Sequence, residues 1–329
     1  MASWLILTAL MVAAMVVVGG ATRLTHSGLS MVEWQPLVGT IPPLSETDWQ
    51  QLFAKYQHTP EYTLVNVGMT LDGFKSIFWW EYVHRLLGRT IGFVVLLPLV
   101  YFWWRGALSR SLTRTLIGIF VLGGLQGALG WYMVASGLVD QPMVSPFRLT
   151  AHLLLALGIF SWLWWTALSL LRPTAVARPP ATLRRAAWGV VALVVYMATT
   201  GGFVAGTHAG LTYNTFPLMG DRLIPTELFL MQPWWQNFFY NLATVQFDHR
   251  LGAWLLTAVV PWLVWRLRRT APAPGVHRAT TFLLMAVALQ ITLGITTLLL
   301  AVPVTIAVMH QGGAVVLLAT ALNLAHRIR

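Results

Sequence analysis

Eight stretches of mostly apolar residues, 3–20, 83–104, 114–135, 149–171, 186–205, 248–266, 280–301 and 303–325, dominate this sequence. A helix needs about 20 such residues to cross the hydrocarbon core of a bilayer, where backbone polar groups must pair within the segment. Spanning helices are therefore the expected elements. Composition agrees: 57% of residues are hydrophobic and only 9% charged, whereas about a quarter are charged in soluble domains. Such a chain cannot cover itself with polar surface, so lipid is its expected solvent. The first stretch runs to Gly19-Gly20 without a clean small-x-small cleavage site and reads as a retained helix. Pro303 separates the last two stretches and implies a tight turn.

The charges set an orientation. Three short connections, Arg105 to Arg114, Arg172 to Arg185 and Arg266 to Arg278, are rich in arginine, and the C-terminus adds Arg327 and Arg329. Placing these connections and both termini in the cytoplasm puts 13 of the 21 Lys and Arg there, as basic residues prefer. All ten acidic residues, from Glu33 to Asp248, then fall on the outer side or at its border. The net charge of +11 is thereby a topology signal. Its implied acidic partner is the lipid headgroup and not nucleic acid. Cysteine is absent, so disulfides, thiolate metal sites and cysteine-ligated iron–sulfur clusters are excluded.

Two outer loops are long, roughly 21–82 and 206–247. In the first, Ser45-Glu46-Thr47-Asp48 reads as a helix start, followed by Trp49, Leu52, Phe53 and Tyr56 at helical spacing. A short amphipathic helix on the membrane surface is expected there. Phe78-Trp79-Trp80 and Trp234-Trp235 read as interfacial anchors.

The chain repeats itself. Gly19-Gly20 with Thr25-His26-Ser27-Gly28-Leu29 recurs as Gly201-Gly202 with Thr207-His208-Ala209-Gly210-Leu211, and His84-Arg85-Leu86 recurs as His249-Arg250-Leu251. Leu125-Gln126 with Leu129-Gly130 recurs as Leu289-Gln290 with Leu293-Gly294, and His152 matches His310. Order is preserved throughout. The expected fold is an all-α membrane protein of eight transmembrane helices, arranged as two pseudo-symmetric four-helix bundles. Residues 1–172 form the first half, 173–185 a cytoplasmic linker and 186–329 the second half. Both halves start inside, a parallel-topology repeat about an axis along the membrane normal, unlike the inverted repeats of many transporters.

Ionisable side chains within spans are rare and usually functional. His84 and His152 fall near the starts of the second and fourth spans, at similar depth near the outer face, and His249 and His310 repeat the pattern. Two imidazoles facing each other from separate helices of a bundle suit axial ligation of a flat macrocycle. Any single histidine could instead serve only as a hydrogen-bonding residue between helices; two duplicated pairs favour haem iron. Zinc or copper suits the pattern less, since no third ligand is placed nearby. His26 and His208 occupy equivalent loop positions and fit a cap or turn at least as well as cofactor contact. His58, His277 and His326 read as solvated.

One asymmetry points to chemistry. Glu81 lies three residues before His84 and shares its helix face, whereas Gln246 lies three before His249. Taken alone, Glu81 reads as an interfacial residue facing water. Against its amide counterpart it implies one catalytic site and one electron-transfer site, with the carboxylate relaying protons or stabilising positive charge. Arg23, Arg85 and Arg250 share the outer level, where they could pair with haem propionates or snorkel to headgroups.

Gly19-Gly20-Ala21-Thr22-Arg23-Leu24-Thr25 with Ser27-Gly28-Leu29-Ser30, then Glu81-Tyr82-Val83-His84-Arg85-Leu86-Leu87-Gly88-Arg89, and later His152, His249 and His310, resemble the haem A synthases, and the resemblance covers nearly the whole chain. It implies oxidation of a ring methyl of haem O to a formyl by successive hydroxylations, giving haem A for terminal oxidase biogenesis. It places substrate haem between His84 and His152, with Glu81 as catalytic carboxylate, and a haem b cofactor between His249 and His310. The chain resembles the cysteine-free branch, including the mitochondrial type, so no step can use an outer-loop thiol. Lacking a transit peptide, it is expected in a bacterial inner membrane. Expected partners are a quinol or ferredoxin-like electron donor and haem O synthase or oxidase assembly factors. The rival readings are a non-catalytic dihaem b cytochrome fed by quinol, and a transporter, which fits poorly because the polar residues avoid the midplane.

Overall fold

A computed structural model of the chain describes residues 1–33, 38–137, 143–172 and 174–329. Asp140, counted above among the acidic residues of the outer side, lies outside them. The described residues form eleven α-helices: α1 Ala2–Leu24, α2 Glu46–Gln57, α3 Pro60–Leu64, α4 Leu71–Trp104, α5 Arg110–Gly137, α6 Pro146–Leu171, α7 Ala181–Gly206, α8 Asn237–Tyr240, α9 Leu242–Thr270, α10 Pro274–Leu299 and α11 Val304–Arg327. Seven of them, α1, α4, α5, α6, α7, α10 and α11, are long and apolar enough to cross a membrane, which makes this a multi-pass membrane protein. The eighth expected span falls within α9. That helix has 29 residues, but it carries Asp248, His249 and Arg250 near one end and Arg266, Arg268 and Arg269 near the other, so it is less apolar than the seven.

By internal packing the chain divides into two compact units, Ala14–Arg148 and Met1–Ala13 with Leu149–Arg329. His84 belongs to the first; His152, His249 and His310 belong to the second.

In the Ala14–Arg148 unit, α4 begins at Leu71, well before the apolar stretch that marks it in the sequence. Thr70 caps it, its hydroxyl accepting from Gly73 N at 3.3 Å. The added turns pack against α2. Ser45 and Asp48 close a capping box on α2, at 3.1 Å and 3.0 Å. Trp49 and Tyr56 turn inward onto Phe74, Ile77, Phe78 and Tyr82 of α4, with Leu52 and Phe53 against the same cluster. The apolar face of α2 is thus packed against α4. Phe78 is likewise a core residue and no anchor: it is 3% exposed and its ring centroid stands 4.9 Å from that of Trp49. Trp79 and Trp80 remain exposed.

In the other unit, α7 packs against α9 and α11, and α10 packs against the same two helices. The four close a ring in which α9 and α11 stand across from each other. The turn expected at Pro303 joins α10 to α11. Ala301 and Val302 both adopt positive φ, 56° and 61°, and Val302 N donates back to Thr297 O at 2.8 Å. His326 corrects the expectation of a solvated terminus. Because α11 continues to Arg327, this imidazole packs inside the unit, 1% exposed, 3.1 Å from Ser169 Oγ and edge-on to Trp165.

Candidate functional site

Helical spacing places Glu81, His84, Arg85 and Arg89 on one side of α4. Glu81 does not face water: it is 2% exposed. Its Oε2 accepts from Ser30 Oγ at 2.7 Å and from Met31 N at 2.8 Å. Its Oε1 accepts from Arg85 Nη2 at 2.6 Å and Nε at 3.0 Å. Four hydrogen bonds thus fix the carboxylate in position. Arg85 also donates to Met31 O at 2.8 Å and Glu33 O at 3.0 Å, Arg89 donates to Gly39 O at 3.1 Å, and Tyr82 donates to Thr40 O at 2.6 Å. The segment after α1 is therefore laced onto α4 by polar contacts around Glu81. Beside it, Tyr56 is fully buried and accepts from Asn66 Nδ2 at 2.8 Å. Glu61 is 5% exposed; burial first, then the negative charge of Glu81, push its carboxyl up to about 7.

The second unit rebuilds this arrangement with a neutral centre. Arg250 Nη2 donates to Tyr213 O at 3.0 Å, the residue matching Met31, and to Gln246 Oε1 at 3.2 Å. Gln246 is 3% exposed, and its Nε2 donates to Ala209 O at 2.9 Å and Tyr213 O at 3.3 Å. The pocket around Glu81 presents donors; the pocket around Gln246 presents carbonyl acceptors as well. The asymmetry seen in the sequence is thus built into both surroundings.

His26 and His208 also correspond. Both take left-handed φ, 51° and 59°, and each N–H donates to the carbonyl three residues back, Arg23 O at 3.1 Å and Ala205 O at 3.4 Å. Their backbones close the ends of α1 and α7, one of the two roles left open for them. His58 and His277 are exposed. Arg23 is half-buried at the end of α1.

The histidines sit against glycines. A Cβ on Gly19 of α1 would come within 3.3 Å of His84 Nε2, and one on Gly201 of α7 within 3.2 Å of His249 Cε1. Gly19 and Gly201 are partners in the repeat, as are His84 and His249. A Cβ on Gly294 of α10 would lie 2.9 Å from His310 Cε1. His249 and His310 stand on the opposed helices α9 and α11. His249 Nδ1 is 2.8 Å from Thr200 Oγ1. His152 lies half-buried in α6.

These residues fit a haem held by two histidines. His310 Nδ1 and Arg250 Nε are buried without a protein partner among the described residues, one a ring nitrogen and the other a cationic donor suited to a propionate. No group of three His, Cys, Asp or Glu that could hold a metal ion occurs among the described residues. Sequence reasoning missed Ser30, the backbone of Met31, Thr200 and the glycine cradles. The Glu81–Arg85 spacing of four was a legible ion-pair signal, and Thr200 against Val18 was a second asymmetry of the kind seen at Glu81.

The chain is similar over residues 2–322 to the family described as cytochrome oxidase assembly protein (COX15-CtaA). A protein of Nitrosospira multiformis named heme A synthase is 55% identical over 332 residues, covering 100% of this chain and 93% of that one. A protein of the same name from Nitrosomonas eutropha is 52% identical, covering 98% and 91%, and one from Bradyrhizobium sp. strain BTAi1 is 50% identical, covering 99% and 90%. On this full-length similarity, the chain belongs to the COX15-CtaA family of cytochrome oxidase assembly proteins.

Proposed function

We propose that this chain is an oxidoreductase that converts haem O to haem A, oxidising one ring methyl to a formyl group. The conversion proceeds by two successive hydroxylations of that carbon, each using one dioxygen, two electrons from a donor and two protons and releasing one water, after which the gem-diol loses water to leave the formyl group. Family membership supports the reaction. The observation that carries the assignment to residues is the buried Glu81 with its four hydrogen bonds, on the helix face of His84.

By the sequence repeat, His84 and His152 would hold the substrate haem. His249 and His310 would hold a haem b cofactor, a reading supported by the opposed helices and the glycines that make room for their rings. When bound there, haem b supplies one-electron transfer. Glu81 places fixed negative charge beside the reacting haem, where it stabilises positive charge or accepts a proton from the methyl under oxidation. Arg85 and Ser30 hold its orientation, and Arg250 Nε is placed for a propionate.

The arginine-rich connections belong in the cytoplasm with both termini, α9 completes eight spans, and the two haem sites lie toward the periplasmic side of a bacterial inner membrane. The electron donor is a quinol or a ferredoxin-like protein.

Expression in cells that make haem O but no haem A tests the activity. Haem A in the pigment extract is expected; haem O persisting unchanged would refute it.

A further inference from the structure

Thr200 stands on α7 directly before Gly201, is 7% exposed, and makes two contacts through one hydroxyl. Its Oγ1 donates to Met197 O at 3.2 Å, within its own helix, and lies 2.8 Å from His249 Nδ1. With the hydroxyl proton directed at Met197, the oxygen is left to accept, so Nδ1 of His249 carries the hydrogen. Nε2 then holds the lone pair, the tautomer an imidazole needs to bind iron. Gly201, with no side chain, lets the ring approach α7 closely enough for this bond. The repeat supplies the comparison. Gly19 packs on His84 as Gly201 packs on His249, and the residue preceding Gly19 is Val18, which is close to threonine in shape but has no polar side-chain atom.

We infer that Thr200 is a positioning residue that fixes the tautomer of His249 and makes its imidazole a stronger electron donor than it would be beside a valine at position 200. The inference rests on the reading of His249 as an axial ligand. A hydrogen bond accepted from the distal ring N–H raises ligand basicity and favours the oxidised metal. Thr200 therefore holds the cofactor haem at a lower potential than a valine at position 200 would. That bias favours electron flow from the cofactor half toward the substrate half. It is a second difference between the halves, acting on electron transfer where Glu81 and Gln246 differ in proton and charge chemistry.

The test uses the purified haem-loaded protein in redox titration and low-temperature electron paramagnetic resonance. Thr200→Val and Thr200→Ala are expected to raise the midpoint potential of one haem and shift its low-spin g values, leaving the other haem unchanged. Thr200→Ser, which keeps the hydroxyl, should match the wild type. If the valine variant does not retain its haem, the alanine and serine variants carry the comparison. Unchanged potential and g values in the variants lacking the hydroxyl would overturn the inference, and so would a serine variant shifted as far as they are. A His249→Ala variant separates this from the underlying reading: retention of both low-spin haem signals would remove His249 as a ligand, whatever Thr200 does.

Discussion

Glu81 and Arg85, one turn apart on α4, form a buried ion pair at 2.6 Å, with side chains 3% and 17% exposed. An exposed pair of this spacing would contribute little, on the order of 0.3–0.5 kcal/mol. Buried, each charge depends on the other, and removing one partner leaves the other uncompensated at a cost of roughly 3–5 kcal/mol.

Glu81→Gln keeps the shape and removes the charge. One amide oxygen cannot accept from both Arg85 and the Ser30–Met31 pair, so its NH2 group must face a donor on one side. Haem A formation is expected to fall on the order of 10²-fold or more, the range for loss of an acid–base or charge-stabilising group, while both haem sites remain filled. Pigment extraction and haem quantification check both parts. Wild-type haem A output would remove Glu81 from the mechanism.

Arg85→Met leaves the Glu81 charge without its cation and frees the carbonyls of Met31 and Glu33. A loss of roughly 3–5 kcal/mol is expected. The double variant Glu81→Gln with Arg85→Met should be more stable than Arg85→Met alone, since no uncompensated charge is left. Thermal denaturation of the four proteins in the cycle measures the coupling.

Gly294→Ala places a methyl where only 2.9 Å separates it from His310 Cε1. The ring must rotate away, and the haem content is expected to fall from two per chain to about one. Gly201→Ala meets His249 at 3.2 Å and should cost less. Haem-to-protein ratios of the purified variants decide it.

Glu61 gives the region around Tyr56 a pH dependence. Its folded pKa of about 7 lies above the ordinary 4.5, because burial and then the charge of Glu81 disfavour its anion. Between those values the folded chain keeps a proton that the unfolded chain has released, so stability falls as pH rises through this window and levels off above about 7. Glu61→Gln, which resembles the protonated acid, should lack that slope. The difference in melting temperature between wild type and this variant, followed from pH 5 to pH 8, is the measurement; equal slopes would contradict it.

Much of this was legible beforehand. The apolar stretches marked the helices, and the histidine repeats marked where α4, α9 and α11 carry their imidazoles. The start of α4 at Leu71 was not legible, because Asp72, Lys75 and Glu81 interrupt the apolar run and only packing on α2 explains the helix there. The polar face of α9 lowers its hydropathy through the residues flanking His249. The burial of Glu81 was hidden because its partners, Ser30 and Met31, lie about fifty residues away in sequence, and a backbone N–H leaves no signature in a residue pattern. Thr200 was hidden because a threonine in an apolar helix ordinarily bonds back to its own turn; only the comparison with Val18 sets it apart.

The haem complement of the purified protein tests the central claim most directly. Chromatography of the extracted pigments is predicted to give one haem b and one farnesylated haem per chain, the latter as haem O, its hydroxylated form or haem A. Two haem b groups with no farnesylated haem would contradict the account and leave an electron-transfer cytochrome in its place.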